Sequence, residues 1–303
     1  MTVGRFAPSP SGRMHLGNVF SALMAWLSVR SQQGRMLLRI EDLDPDRCRP
    51  AYAEQLKRDL AWLGLDWDAE QPCQSGRSEF YASQFNRLAE QNLLYPCYCS
   101  REALHGASAP HASDGRVIYG GTCRHLTEAQ RAEQTKKPAW RLIVPDGEYA
   151  VCDGLQGEYR ENLARECGDF ILRRADGVYA YQLAVVCDDA AGGVTEVVRG
   201  RDLLTSTPRQ MYLQELLHLP HPQYYHVPLL IDASGRRLSK RDGDLDLGAL
   251  RETMTAEELL GRLAWAAGIL PLYAPAKAVD LVPLFSWSKI APSDLVIRNY
   301  FSV

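Results

Sequence analysis

An α/β fold is predicted: a doubly wound parallel sheet, split by an insertion and followed by a short, mainly helical C-terminal part. Three features predict it. Short apolar runs alternate with helical periodicity over residues 1–94 and again from Gly168. The first run, Val3 to Ala7, passes through a Pro-, Ser- and Gly-rich loop directly into a helix. Residues 95–166 then break the alternation.

In chain order, Val3 to Ala7 reads as a strand, and Val19, Phe20, Leu23 and Leu27 mark one face of the helix that follows. The turn between them, with His15 and several unpaired backbone N–H groups at a helix N-terminus, is suited to phosphate. Met36 to Ile40 is a buried strand ending in the acidic turn Glu41-Asp42-Leu43-Asp44-Pro45. Tyr52, Leu56, Leu60 and Leu63 then keep helical spacing. A third helix spans about Ser78 to Asn92, with Ser78 as its N-cap and Tyr81, Phe85 and Leu88 facing inward. Parallel sheets bind ligands at the carboxyl ends of their strands, which brings Arg5 to Ser9 close to Glu41.

The insertion opens with Tyr-Pro-Cys-Tyr-Cys and carries Tyr119-Gly-Gly-Thr-Cys123 further on. Thr127 with Gln130 forms a capping box, Trp140 to Val144 reads as a strand, and residues 145–165 read as a polar loop. Phe170 to Arg173, an Asp176-Gly177 turn and Val178 to Val186 suggest a hairpin. Val194 to Arg199 is a further strand. Thr207-Pro208 opens a helix with Thr207 as cap, carrying Met211, Leu213, Leu216 and Leu217. Tyr225 to Ile231 reads as one strand, and Thr255 with Glu258 caps a helix bearing Leu259, Leu260, Leu263 and Ala267. No internal repeat is visible.

Composition narrows the class without naming a partner. A net charge of −3 leaves no global basic footprint, and clusters such as Arg173-Arg174 and Arg236-Arg237 neither support nor exclude a nucleic acid. No apolar run approaches the roughly 20 residues of a membrane span, and the start lacks a signal-peptide core, so a cytoplasmic protein without a membrane partner is expected. Eight cysteines in that setting favour metal or free thiols over disulfides.

Two distant stretches add to this reading: Arg5-Phe6-Ala7-Pro8-Ser9-Pro10-Ser11-Gly12 with His15-Leu16-Gly17-Asn18, and Arg237-Leu238-Ser239-Lys240-Arg241. Together they resemble the paired HIGH and KMSKS motifs of class I aminoacyl-tRNA synthetases, whose catalytic core is Rossmann-like, and the octapeptide matches the glutamyl branch. The likeness runs from Val3 to about Asp244. Asn18 stands where the first motif has its second His, and Arg237 where the second has its first Lys.

The resemblance implies ATP as substrate with Mg2+, His15, Gly17, Asn18 and Lys240 at the nucleotide, and His15 and Lys240 as the catalytic pair. It also matches Arg5, Phe6, Ala7, Pro8, Ser9, Glu41, Tyr181 and Arg199 to the glutamate-binding positions. Charge supports the match. A dicarboxylate with one ammonium calls for arginine forks and an acid, and such a pocket rejects glutamine well.

Cys97-x-Cys99 and Cys123 propose structural zinc, which takes four ligands. Donor chemistry alone favours His105, His111 or His125 as the fourth, with water a further option. The resemblance, through the spacing C-x-C … Y-x-x-x-C of shorter glutamyl-like enzymes, points to Tyr119.

About 60 residues follow Arg241, against on the order of 150 or more for the helical anticodon-binding domain of full-length glutamyl enzymes. The short form resembles the glutamyl-Q tRNA(Asp) synthetases. That resemblance implies a ligase that activates L-glutamate without tRNA and attaches it to queuosine in the anticodon stem-loop of tRNA(Asp). A monomer is expected. The alternatives are a short glutamyl-tRNA synthetase charging the 3′ end of tRNA(Glu), or a non-catalytic tRNA-binding paralogue. The expected division is 1–94 and 167–244 as the two halves of the catalytic domain, 95–166 as an acceptor-binding-like zinc insertion, and 245–303 as the helical end.

Overall fold

Residues 1–100, 118–236 and 246–297 are described by the structure, a computed structural model. Arg237, Ser239, Lys240 and Arg241, with His105 and His111, lie outside the described residues.

The first βαβ unit follows from its sequence pattern. Strand β1 (Val3–Phe6) leads into α1 (Leu16–Ser31), which returns to β2 (Arg35–Leu38), parallel to β1 in the register Val3–Arg35 to Phe6–Leu38. Helix α1 is apolar nearly all round, with ten buried residues from Leu16 to Val29, because strands cover one side of it and the C-terminal helices the other. Gly4 permits the close fit, since a Cβ there would collide with Val29 Cγ2. After α2 (Pro50–Trp62), β3 (Ala69–Glu70) extends the sheet beside β2.

A second parallel pair is formed by β9 (Glu196–Gly200) and β10 (Gln223–Val227), joined through α6 (Thr207–Leu216). It lies beside β1, where Thr195 N donates to Val3 O at 2.9 Å. The spatial order is therefore β3, β2, β1, β9, β10, with every named pairing parallel. That is the predicted doubly wound arrangement, and it directs the carboxyl ends of β1, β2 and β9 to one side.

Between the two parallel pairs, β4 (Leu94–Cys97), β5 (Ala139–Leu142) and β8 (Phe170–Arg173) form an antiparallel sheet. Its core joins α3 (Ser78–Glu90) and α5 (Tyr181–Ala191) through Tyr81, Phe85, Leu142, Phe170 and Leu183. The short helix α4 (Glu128–Ala132) carries the expected Thr127–Gln130 capping box. The chain ends in α7 (Leu247–Thr253), α8 (Ala256–Ala266), α9 (Ala278–Leu281) and the short strand β12 (Leu295–Val296), which pairs with β11 (Leu230–Ile231). The Thr255–Glu258 box opens α8 as expected.

Several local expectations need correction. Residues 145–165 hold the hairpin β6 (Glu148–Asp153) and β7 (Gly157–Asn162) rather than a loop. Only Val151 and Asp153 of β6 are buried, so no apolar alternation marked it. Val178 to Val186 is not a strand. The Asp176-Gly177 turn forms, with Gly177 at φ +92°, and Ala180 N still bonds Leu172 O, but α5 starts at Tyr181. Ser78 is the first helical residue and not a cap, because a 3-10 turn over Gln74–Arg77 already feeds the helix. The same holds at Thr207, which follows the 3-10 turn Arg201–Ser206. Tyr225 to Ile231 is interrupted at Pro228-Leu229, giving β10 and β11.

Candidate active site

The β1–β2 ladder sets the first edge of the site. Hydrogen bonding continues beyond both strands, with Arg39 N donating to Phe6 O at 2.8 Å and Glu41 N to Pro8 O at 3.0 Å. This zipper draws Glu41 to the Pro-Ser loop. Arg199, the last but one residue of β9, closes the other edge. Between them opens a cavity of about 540 Å³. Arg5, Phe6, Ala7, Pro8, Ser9, His15, Gly17, Asn18, Glu41, Tyr181 and Arg199 all line it. Lys240 lies outside the described residues.

His15 is the N-cap of α1. Its Nδ1 accepts from Gly17 N at 3.1 Å, and Asn18 Oδ1 accepts from His15 N at 3.1 Å, completing a capping box. Asn18 thus does work that a second histidine would not do in the same way: its short amide closes the cap. The chain also returns here after the lysine stretch. Asp246 bridges to His15, Leu247 N donates to Met14 O at 2.9 Å, and Arg13 pairs with Asp246 at 3.6 Å.

Arg5 and Glu41, which line the cavity, belong to a buried ion network. Asp189 Oδ1 accepts from Arg5 Nε at 3.3 Å and from Arg39 Nη1 at 2.6 Å. Arg39, with no exposed surface, also holds Glu41 Oε1 at 2.9 Å and Gln71 Oε1 at 3.1 Å. Burial alone would lift the Asp189 carboxyl, but Arg39 and Arg5 outweigh it and hold it below the ordinary aspartate value. At Glu41 burial wins, and its carboxyl stays above the usual glutamate value despite Arg39 and Arg5. A bound ammonium would favour its charged form.

Arg199 differs from these. It is 5% exposed, yet it pairs with no carboxylate among the described residues. Its Nε donates to His226 Nε2 at 2.9 Å and its Nη2 to Thr207 Oγ1 at 2.8 Å, while Tyr181 Oη lies 3.5 Å from Nη1. A buried guanidinium that lines a cavity with no carboxylate in ion-pair contact among the described residues is suited to an anionic ligand.

Asp189 is shared by two buried arginines, so Asp189→Ala is expected to destabilise the protein by about 3–5 kcal/mol, as a lost partner in a buried ion network does. Urea denaturation measures this. A midpoint equal to the parent's would contradict the shared-anchor role.

The three cysteines converge away from this cavity. Cys97, Cys99 and Cys123 place their sulfurs within 4.8 Å of one another. Cys99 and Cys123 are 3.6 Å apart, close to the roughly 3.8 Å edge of a tetrahedron with zinc–sulfur bonds of about 2.3 Å. Tyr119 Oη sits 3.4 Å from Cys97 Sγ and 4.0 Å from Cys99 Sγ, and accepts from Cys123 N at 2.8 Å. Gly168, at φ +69°, lets the backbone of Tyr119 pack directly against it, and the Arg141 guanidinium lies 3.7 Å from the Tyr119 ring centre. Burial and the neighbouring Cys123 and Cys97 thiols push the Cys99 thiol up to about 12. The donor set fits zinc. His125 is exposed and outside the cluster.

Sequence reasoning missed Arg39, Asp153, Asp189, Thr207 and His226. A signal existed for two of them: Arg39 interrupts an apolar strand, and Asp188-Asp189 end an apolar run, both of which require buried partners.

Residues 1–262 match the family described as tRNA synthetases class I (E and Q), catalytic domain. The fold is therefore that of a class I synthetase catalytic core. A glutamyl-Q tRNA(Asp) synthetase of Nitratidesulfovibrio vulgaris is 49% identical, the match covering 98% of this chain and 95% of that one. One from Symbiobacterium thermophilum is 48% identical over 96% and 94% of the two chains. The crystal structure of a glutamate tRNA ligase from Elizabethkingia meningosepticum in complex with its amino acid superposes with a TM-score of 0.83 at 25% identity, over 98% of this chain and 67% of that one. The chain belongs to the class I glutamate and glutamine synthetase family, within its glutamyl-Q tRNA(Asp) synthetase group.

Proposed function

We propose that this chain activates L-glutamate with ATP, without tRNA, and transfers it to queuosine in the anticodon stem-loop of tRNA(Asp). The single observation that carries the amino-acid half is Arg199, a buried guanidinium without a carboxylate partner among the described residues, lining the same cavity as Glu41 and the N-terminus of α1. The relatives' names support the acceptor.

In this reading Arg199 and Arg5 bind the substrate's carboxylates, and Glu41 takes the ammonium. Tyr181 and the run Phe6-Ala7-Pro8-Ser9 close the pocket around the chain of the substrate. His15, Gly17 and Asn18 receive the ATP phosphates, with Mg2+ accompanying the nucleotide. A glutamate carboxylate oxygen attacks the α-phosphorus, the bond to pyrophosphate breaks, and a glutamyl-adenylate forms. His15 and Lys240 stabilise the charge that develops on the phosphates. A hydroxyl of queuosine then attacks the acyl carbon and AMP leaves.

Cys97, Cys99, Cys123 and Tyr119 would hold zinc, which supplies a cross-link within an insertion spanning 95–166 and takes no part in the chemistry. The halves of the catalytic domain are 1–94 and 167–244, with 245–303 as the helical end. A cytoplasmic monomer completes the reading. Among the described residues no helix is long and apolar enough to cross a membrane.

The test is transfer of radiolabelled glutamate to tRNA from cells with and without queuosine. Label on tRNA(Asp) that requires queuosine is the expected result. Label on tRNA(Glu) that does not depend on queuosine would overturn the acceptor and leave a short glutamyl-tRNA synthetase.

A further inference from the structure

Behind Arg199 runs a chain of buried hydrogen bonds that the reaction above does not use. Asp153 ends β6, in the hairpin that packs on β10. Its Oδ1 accepts from the backbone N–H groups of Leu155, Gln156 and His226 at 3.0, 2.8 and 3.2 Å. Its Oδ2 lies 2.6 Å from His226 Nδ1. Neither side chain has exposed surface. On the far side of the ring, Nε2 faces Arg199 Nε at 2.9 Å.

An arginine Nε–H only donates, so His226 Nε2 must accept, and its proton must sit on Nδ1, facing Asp153. The tautomer is fixed from both sides. We infer that His226, held by Asp153, is the positioning residue for the Arg199 guanidinium, and that glutamate binds well only while His226 is neutral with its proton on Nδ1. This rests on the proposed reading of Arg199 as a ligand of the substrate carboxylate.

The charges around His226 set the direction of its pH response. Asp153 approaches from β6, Arg199 from β9 and Asp202 from the 3-10 turn Arg201–Ser206, while Thr207 Oγ1 lies 3.3 Å from Nε2 and the Tyr224 ring stacks at 6.1 Å. Beyond Arg199 stand Tyr181, Glu41, Arg5 and Asp189. Burial, with Arg199 adding to it, holds the imidazole below its ordinary 6.5 against the opposing pull of Asp153. The folded protein therefore keeps His226 neutral at neutral pH. As pH falls through the lowered value, a proton on Nε2 would put two donors of like charge against each other and displace the Arg199 fork. Glutamate affinity is present above that value and lost below it.

Three measurements test the relay. Asp153→Asn preserves the shape and all three backbone bonds to Oδ1, but its amide donates to Nδ1 and drives the ring proton to Nε2. In ATP–pyrophosphate exchange its glutamate KM is expected to rise about tenfold or more, with the KM for ATP and the saturated rate within about threefold of wild type. His226→Gln supplies a neutral oxygen acceptor that does not titrate. Its glutamate KM should lose the acid-side rise that His226 adds to wild type. Nitrogen-15 NMR of the imidazole should give Nδ1–H in wild type and Nε2–H in Asp153→Asn.

An unchanged glutamate KM in Asp153→Asn overturns the inference, as does an acid-side rise as large in His226→Gln as in wild type. So does a wild-type ring found protonated at Nε2 at neutral pH, whatever the substrate. A wild type that exchanges with no glutamate at all, its ring being Nδ1–H, overturns the proposed function and with it the glutamate half of the inference.

Discussion

Lys240→Ala is expected to lower the ATP–pyrophosphate exchange rate by about two to three orders of magnitude, the loss typical when one group aimed at transition-state charge is removed. Glutamate affinity should change little, because the proposed amino-acid pocket is lined from β1, the turn after β2, α5 and β9. Lys240 follows the β11 strand and precedes Asp246, which bridges to His15 at the cavity mouth. Exchange measured at several glutamate concentrations separates rate from affinity. A near wild-type rate would remove Lys240 from the chemistry.

Cys123→Ala is expected to lower bound zinc from about one per chain to near zero and to destabilise the β4–β5–β8 sheet. Structural zinc contributes on the order of 10–16 kcal/mol in small metal-folded domains, comparable with the whole stability of an ordinary domain. Cys97 is the last residue of β4, and Tyr119 reaches the cluster from its bridge with Gly168, so a lost ligand loosens both ends of that layer. Metal analysis and limited proteolysis measure the two effects. Tyr119→Phe is the finer probe, since it removes the proposed fourth donor and keeps the ring under Arg141. Full zinc content in Cys123→Ala would contradict the proposed ligand set.

The legible parts of the site are those that local chemistry fixes. The Pro-Ser-Gly loop, His15 and the helix after it are contiguous, and the position of Glu41 follows from the end of one apolar strand. The cysteine spacing was readable for the same reason, although the sequence left the fourth ligand between histidines and Tyr119. The contacts that the sequence hides are those between residues distant in the chain. Asp189 meets Arg5 and Arg39 across 184 and 150 residues, and Asp153 meets His226 across 73. No periodicity reports such pairs. From sequence alone helix α5 looks like a strand because Leu183 to Asp189 are all buried, which erases the amphipathic rhythm and leaves a valine-containing run. The β6–β7 hairpin was missed for the opposite reason. It is polar, and Asp153, buried at the end of β6, has a partner that only the fold supplies.

The account depends on two loops meeting over one nucleotide beside a cleft for an acidic amino acid. Crystals soaked with glutamate and a non-hydrolysable ATP analogue test this directly. The account predicts phosphates between His15 and Lys240, with a glutamate carboxylate on Arg199 and its ammonium at Glu41. A nucleotide bound elsewhere, or Lys240 turned to the opposite side of the molecule from His15, would contradict it.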